Sequence, residues 1–304
     1  MTTGTEVFDL AIAWTWPYDR EFVQAIEEHA ARTGVTTYVI QKRNLEETLE
    51  KLRKKHLQFR CILDRASDED EAFHPLHRFL SRQEMTRVVN PLALQQRSAD
   101  KATMHLEFLT ANINVPYTII ISPYNQKNEA ELSLTELAHL GRPFIIKPAN
   151  TTGGGIGVVL GAETLKDVLD ARLHHKNDKY LLQETIKPAY VSEQRAWFRV
   201  LYAFGTIIPC WWDDQTHVYE LVTAEEEETF GLAPLREMTQ KIRSVCRLDF
   251  FSTELVYTYQ EKFVVVDYVN EICDMRFQSS HRDGVPDEAV QIVIRTLLDF
   301  VKSA

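Results

Sequence analysis

Lys147 stands in an otherwise apolar stretch, Pro143-Phe-Ile-Ile-Lys-Pro, and Gly153, Gly154, Gly155, Gly157 and Gly161 follow it. The chain holds only 11 glycines in 304 residues, where about 7% is usual, so nearly half of them crowd one short window. A lysine is expensive to bury unless it meets an anion. Glycine lets successive backbone amides close around one, and Thr151 and Thr152 add hydroxyl donors. That combination suits phosphate. It is not a Walker A loop, since no Gly-Lys-Ser/Thr follows and a strand is expected next. Nor does it open a helix as a dinucleotide fingerprint does. A glycine-rich hairpin laid over phosphates is closer in kind, and a mobile surface hairpin is the alternative.

A second constellation lies about a hundred residues on. Glu254 interrupts an apolar run (Phe250, Phe251, Leu255, Val256), and Asp267 and Asn270 end another, Phe263-Val-Val-Val-Asp-Tyr-Val-Asn. If the two runs pair through a turn at 259–261, Glu254 and Asp267 meet on one face. Buried carboxylates repel unless a cation lies between them. Oxygen donors of this kind suit Mg²⁺, which bridges protein carboxylates to substrate phosphates. Glu271 competes with Asn270 as third ligand, because Asp267, Val269 and Glu271 share a face in a regular strand. A solvated pair of edge-strand acids is the alternative. His74 and His77 share a helix face without a third partner, and the sequence offers no Ser/His/Asp or Cys/His arrangement for nucleophilic catalysis.

The elements that must carry these residues change character along the chain. Val7–Trp14, Val35–Ile40, Phe59–Leu63 and Val88–Val89 read as strands, separated by helices over Asp19–Arg32, Leu45–His56 and Phe73–Leu80. Such alternation with short joints implies a parallel sheet covered on both faces. A helix capped by Ser98, with Asp100 in its first turn, is expected to run to about Asn112. Strands at Pro116–Ile121, Pro143–Pro148, Val158–Leu160 and Tyr180–Gln183 follow, with a helix over Thr164–His174. Beyond residue 190 antiparallel pairs dominate: Arg195–Tyr202 with Thr206–Trp212, and Phe251–Tyr257 with Lys262–Val269. Helices over Leu235–Cys246 and Asp287–Val301 complete the pattern.

Composition narrows the partners. Lys and Arg number 34 against 44 Asp and Glu, a net charge of −10, and no basic stripe with interleaved aromatics marks a nucleic-acid surface. Lys51–Lys55 reads as the solvated face of an amphipathic helix. No apolar run approaches the roughly 20 residues of a membrane helix, and the N-terminus lacks the layout of a secretory signal. The four cysteines show neither CxxC nor zinc spacing, which fits a reducing compartment, and a cytoplasmic location is expected.

Taken in order, these motifs resemble the ATP-grasp superfamily over nearly the whole chain. Val89-Asn-Pro, Asp100-Lys101, Leu109 and Val115-Pro-Tyr-Thr are similar to the segment that leads into its nucleotide-binding region. Pro143-Phe-Ile-Ile-Lys-Pro and the glycine window look like its second lysine and phosphate loop. Leu181-Leu-Gln-Glu-Thr-Ile resembles its adenine-side hinge strand, and Leu248-Asp-Phe-Phe-Ser-Thr-Glu-Leu with Val265-Val-Asp-Tyr-Val-Asn its closing strand pair. The resemblance implies an α/β protein of three parts: an N-terminal parallel-sheet domain (1–96), a central subdomain with the glycine-rich loop (97–186) and a C-terminal subdomain with the metal site (187–304), the last two sandwiching ATP. It implies that Lys101, Lys147, Thr152, Gly153, Gly154 and Gly155 bind ATP phosphates, and that Gln183, Glu184 and Ile186 flank the adenine. Arg199 would face the transferred phosphate, with Arg195 as rival. Glu254, Asp267 and Asn270 would hold Mg²⁺ or Mn²⁺.

Two departures from the family pattern stand out. Asp267 lies three residues before Asn270 where the family has two, a difference a local bulge would absorb. No clear ribose-binding acid follows the hinge, which leaves Glu193 in reserve. The type that is similar to glutathione synthetase, ribosomal-protein glutamate ligase and D-alanine–D-alanine ligase joins a carboxylate to an amine through an acyl phosphate. Small-molecule or peptide acids and amines are the implied partners, without nucleic acid or membrane, and a homodimer stays open. Arg276 is a candidate for a substrate carboxylate, or else a structural ion pair. Trp211–Asp214 and Glu225–Glu228 hint at a cationic partner or form a solvated acidic loop. A small-molecule kinase and an ATP-binding protein without turnover are the alternative outcomes.

Overall fold

Alternating apolar positions at the N-terminus fold as their period requires. The computed structural model describes residues 4–130, 132–150 and 155–303. Its first elements are β1 (Glu6–Trp14), α1 (Arg20–Thr33), β2 (Thr37–Ile40), α2 (Leu45–Arg53), β3 (Leu57–Arg65), α3 (His74–Leu80) and β4 (Arg87–Val89). The four strands form a parallel sheet in the order β2-β1-β3-β4. Successive side chains of β1 point to opposite faces. Leu10 and Ile12 join the core of α1, whereas Ala11 and Ala13 join that of α2 and α3. Gly34 ends α1 at a φ of 72°, the left-handed cap that glycine adopts without strain.

The helix expected from Ser98 begins instead at Lys101, as α5 (Lys101–Thr110), and a separate helix, α4 (Leu92–Ala99), precedes it. Ser98 is buried within α4 and caps nothing. The cap is Asp100, whose carboxylate accepts the amides of Ala102 and Thr103 and whose extended ψ of 94° breaks the chain between the helices. An aspartate at this position satisfies orphan amides that a continuous helix would have paired. The break sets Lys101 in the first turn of α5.

The middle sheet comprises β5 (Thr118–Ile121), β6 (Phe144–Pro148), β7 (Val159–Ala162) and β8 (Tyr180–Glu184), with α6 (Leu134–Leu140) and α7 (Leu165–Arg172). It is antiparallel, in the order β5-β8-β6-β7. Phe144 and Ile146 pack with Val168 and Ala171 of α7, so alternation turns Ile145 and Lys147 to the opposite face. The register places Gln183 opposite Ile145 and Leu181 opposite Lys147.

After the short hairpin β9 (Tyr190–Val191) and β10 (Gln194–Arg195) come β11 (Trp197–Ala203), β12 (Thr206–Trp212) and β13 (Tyr219–Leu221). Then follow α8 (Ala224–Thr229), α9 (Pro234–Cys246), β14 (Phe250–Tyr257), β15 (Phe263–Asn270) and α10 (Asp287–Lys302). The last five strands after the hairpin form an antiparallel sheet, β13-β12-β11-β14-β15. Phe198, Val200, Tyr202 and Phe251 share a core with α5 and α9. Leu201, Ala203, Ile208 and Cys210 on the other face share one with α10 and the N-terminal sheet. The C-terminal helix is thus the filling between the first and third sheets. Asn90 ties the same two units: its Oδ1 accepts the amides of Asp249 (2.9 Å) and Phe250 (3.2 Å), while its Nδ2 donates to the Phe250 carbonyl. All four cysteines are buried and free, and no helix is long and apolar enough to cross a membrane.

Candidate active site

Along β11, Trp197, Arg199, Leu201 and Ala203 share one face. Leu201 and Ala203 are in the core under α10, but Arg199 and Trp197 lie outside that cluster, Trp197 packing instead against Val256, Val264 and Val266. Pairing sets Arg199 opposite Glu254 of β14, and Glu254 opposite Asp267 of β15. The second pair is not the product of a regular ladder. The register slips between Ser252 and Glu254 and again between Glu254 and Leu255. These bulges add residues to β15, so that Asn270 pairs with Ser252 while Asp267 still meets Glu254. The extra residue between Asp267 and Asn270 is absorbed as a bulge would absorb it. The Asn270 amide then donates to Asp267 Oδ2 at 3.1 Å.

Cations from two other elements close on this pair. Lys101, carried by the first turn of α5, donates to Asp267 Oδ1 at 2.6 Å. Lys147, from the inward face of β6, donates to the Val266 carbonyl at 3.1 Å and lies over the Tyr268 ring. Arg199 Nη1 lies 3.5 Å from Glu254 Oε1, and its buried Nε has no partner among the described residues. The Trp197 indole donates to Glu254 Oε2 at 3.2 Å.

Burial dominates the electrostatics. It pushes the Glu254 carboxyl up to about 7 against the pull of Arg199, with Asp267 adding to the rise. Burial also works against a charge on Asp267, but Lys101 and Lys147 outweigh it and hold that carboxyl well below its usual range. Burial draws the Lys147 ammonium down to about 8, with Asp267 opposing. An anion beside Lys147 and Arg199 and a cation between the carboxylates would each relieve a cost that the site now carries. Among the described residues no three His, Cys, Asp or Glu side chains converge on a metal position. Two carboxylates and an amide remain, an all-oxygen set that fits Mg²⁺ or Mn²⁺ rather than a softer metal.

No protein-family model and no curated protein matches the sequence. Solved structures do match the fold. An ATP-grasp RimK-domain protein from Sphaerobacter thermophilus is 21% identical with a TM-score of 0.61, over 94% of this chain and 98% of that one. The ATP-grasp ligase PsnB, solved with a minimal precursor, Mg and ADP, is 14% identical with a TM-score of 0.62, over 95% and 98%. D-alanine–D-alanine ligase from Bacillus anthracis, solved with ATP, is 16% identical with a TM-score of 0.59, over 97% and 96%. The chain has the ATP-grasp fold.

In ATP-grasp terms the residues singled out from the sequence divide into two groups. Lys101, Lys147, Arg199, Glu254, Asp267 and Asn270 come together as described. Gln183 joins them indirectly: fully buried, it donates to the Tyr268 hydroxyl at 3.0 Å, and that hydroxyl reaches His105 Nδ1 at 2.7 Å. Burial and the charge of Lys147 hold His105 down to about 4, so the ring in this chain is neutral near pH 7. Ile186 packs on an apolar shelf of Val256, Val264 and Val266, beside the charged half of the same sheet face. Thr152, Gly153 and Gly154 lie outside the described residues. At the described end of the loop, Gly155, Gly157 and Gly161 all take positive φ, from 74° to 78°.

The others sit elsewhere. The Glu184 carboxylate accepts the Tyr117 amide at 2.7 Å. Arg195 is held by a two-pronged pair with Asp214, both contacts at 2.7 Å. Arg276 is forked between Asp274 and Asp283. Glu193, at the tip of the β9–β10 hairpin with a φ of 68°, lines a cleft of about 1030 Å³ together with Tyr190, Arg195, Trp212, Tyr219 and Arg282. Trp212 connects that cleft to the site, since the Arg199 guanidinium lies 5.5 Å from its ring. Sequence reasoning missed Trp197 and Tyr268. Asp267 stands out by its charge in an apolar strand and Arg199 by the family resemblance, whereas an aromatic in a strand looks like ordinary core.

Proposed function

We propose that this chain is an ATP- and Mg²⁺-dependent ligase that joins a carboxylate to an amine through an acyl phosphate. The observation that carries the reading is the convergence of Lys101, Lys147 and Arg199 on the opposed carboxylates Glu254 and Asp267. That arrangement holds cations for a triphosphate and oxygen donors for the metal that accompanies it. Glu254, Asp267 and Asn270 would hold the cation, which when bound neutralises charge on the triphosphate oxygens. Lys101 and Lys147 orient the β- and γ-phosphates, and Arg199 faces the phosphoryl group in transfer, where its Nε, without a partner among the described residues, is available. The loop around Gly153–Gly155 covers them and excludes water. Gln183, Glu184 and Ile186 border the adenine, and Glu193 the ribose.

The acid's carboxylate oxygen attacks the γ-phosphorus as the bond to ADP breaks. The amine nitrogen then attacks the carbonyl carbon, phosphate leaves, and the nitrogen gives up a proton. Substrates reach Arg199 through the adjoining cleft, whose aromatic walls and mixed charges suit a small molecule or a peptide carrying both polar and apolar parts. The three-part division at 96/97 and 186/187 belongs to the same reading, as does a cytoplasmic setting.

The test is incubation with ATP, Mg²⁺ and paired libraries of acids and amines. Phosphate release that needs both, with ¹⁸O from a labelled carboxylate appearing in the phosphate, is the expected result. A phosphorylated alcohol would assign the chain to the kinases, and nucleotide binding without any release to non-catalytic ATP binding. Asp267→Ala should abolish the Mg²⁺-dependent release while leaving the circular dichroism spectrum and melting profile folded.

A further inference from the structure

The face of the third sheet that turns toward the middle sheet is divided. Arg199, Glu254, Asp267 and Asn270 form a charged half, and Val256, Val264 and Val266 with Ile186 an apolar half. Trp197 lies on the boundary and belongs to both. Its ring packs on the valines and Ile186 and stands 6.2 Å from the Trp212 ring. Its indole N–H crosses to the charged side and donates to Glu254 Oε2 at 3.2 Å. In the ladder Trp197 is opposite Val256 and Arg199 opposite Glu254. The indole therefore reaches Glu254 along the diagonal of the sheet, a span that only a long side chain covers.

We propose that Trp197 is a positioning residue for the metal-binding carboxylate. Glu254 is a buried side chain with two oxygens and two neighbours, Arg199 at Oε1 and Trp197 at Oε2. The arginine is long and will re-orient toward an anionic ligand, so it cannot fix the carboxylate plane when substrate is present. The indole is packed on the valine shelf with Trp212 nearby and keeps its direction. It holds one oxygen, which sets the plane of the carboxylate and leaves Oε1, on the Arg199 side, for the cation. It also prevents the carboxylate from turning to the apolar half, where neither oxygen would find a donor. Outer hydrogen bonds of this kind orient metal ligands, and their loss typically weakens metal affinity by about 10- to 100-fold.

This inference rests on the ligase reading only in taking Glu254 as a metal ligand, and one experiment separates the two. Mn²⁺ binding to the whole protein with ADP present is followed by the electron paramagnetic resonance signal of free Mn²⁺, for wild type, Trp197→Phe and Glu254→Gln. Phenylalanine keeps an aromatic ring on the shelf and removes the N–H donor along with part of the indole's bulk. The expected result is a Mn²⁺ affinity about tenfold weaker in Trp197→Phe and lost in Glu254→Gln, with ADP affinity in the absence of metal unchanged in Trp197→Phe. Paramagnetic quenching supplies a second readout. Mn²⁺ should quench wild-type tryptophan emission by a component that Trp197→Phe lacks. Unchanged Mn²⁺ affinity in Trp197→Phe, with loss in Glu254→Gln, would overturn the role of Trp197 alone. Unchanged affinity in both would instead overturn the metal reading of Glu254. A loss of ADP affinity in Trp197→Phe without metal would make the residue part of the nucleotide wall and refute the positioning role.

Discussion

Arg199 and Arg195 lie on the same chain segment, and charge alone does not separate them. Their partners do. Arg195 already has a carboxylate matched to its fork, whereas Arg199 meets Glu254 at 3.5 Å and keeps a buried Nε without a partner among the described residues. We expect Arg199→Ala to lower kcat by about 10² to 10³, the scale of removing a donor to transition-state charge. Arg195→Ala should leave kcat within about threefold and act, if at all, on KM. Lys147 adds a pH signature. With the free ammonium drawn down to about 8, a bound triphosphate restores its proton. ATP binding measured in EDTA should therefore weaken by up to about tenfold per pH unit above 8. At pH 8, calorimetry in buffers of different ionisation enthalpy should record uptake of about half a proton; release of protons would contradict the role of Lys147.

Several elements owe their placement to one local device each. The break at Asp100 separates α4 from α5 and so delivers Lys101 to Asp267. The bulges in β15 bring Asp267 and Asn270 within hydrogen-bonding distance despite their spacing. In the β6–β7 connection Gly157 takes a φ of 75°, and a Cβ there would meet His175 and Pro148 at 3.2 Å. Gly157→Ala should cost about 1–2 kcal/mol, from the left-handed backbone and the crowding together, as measured by urea unfolding. A stability equal to wild type would mean that the connection relaxes around the methyl group. Near α3, Asp64 accepts from both Ser67 Oγ (2.6 Å) and His77 Nδ1 (2.6 Å). These are the three residue types of a hydrolase triad, but the aspartate stands in the middle, and His77 Nε2 is occupied by the Leu92 amide. The cluster secures α3 to the start of α4 and leaves no base free.

At the scale of the molecule, two buried devices join the N-terminal sheet to the third one. Arg65, at the end of β3, pairs with Asp19 and donates to the Cys273 carbonyl at 2.8 Å. Asn90 satisfies three backbone groups of Asp249 and Phe250. Asn90→Ala strands those groups without replacement and should destabilise the protein by about 3 kcal/mol, read as a lower urea midpoint at unchanged slope. The His105–Tyr268–Gln183 chain joins α5, β15 and β8 in the same way. Burial first, then Lys147, sets the His105 pKa to about 4, below the unfolded value near 6.5. The unfolded chain therefore takes up a proton first, so this contribution is complete above pH 6.5 and is lost as the pH falls to about 4. Replacing His105 by leucine should flatten the stability profile across that window; an unaltered slope would place the acid sensitivity in other groups.

Period and punctuation in the sequence were enough for the parallel N-terminal sheet, the antiparallel C-terminal one and the strands bearing Lys147, Glu254 and Asp267. Those features depend on local alternation and on residues such as Gly34 and Pro143, whose effect is exerted within a few positions. The glycine window announced a special backbone for the same reason. Tertiary structure decided the rest, because it depends on which distant groups meet. Only packing shows that α10 fills the gap between two sheets, that Arg195 and Arg276 are already paired, and that the indole of Trp197 crosses from an apolar shelf to Glu254. Two carboxylates in a sequence carry no sign of mutual distance. Desolvation by the third sheet and opposition across a bulged ladder make them a site that calls for a cation.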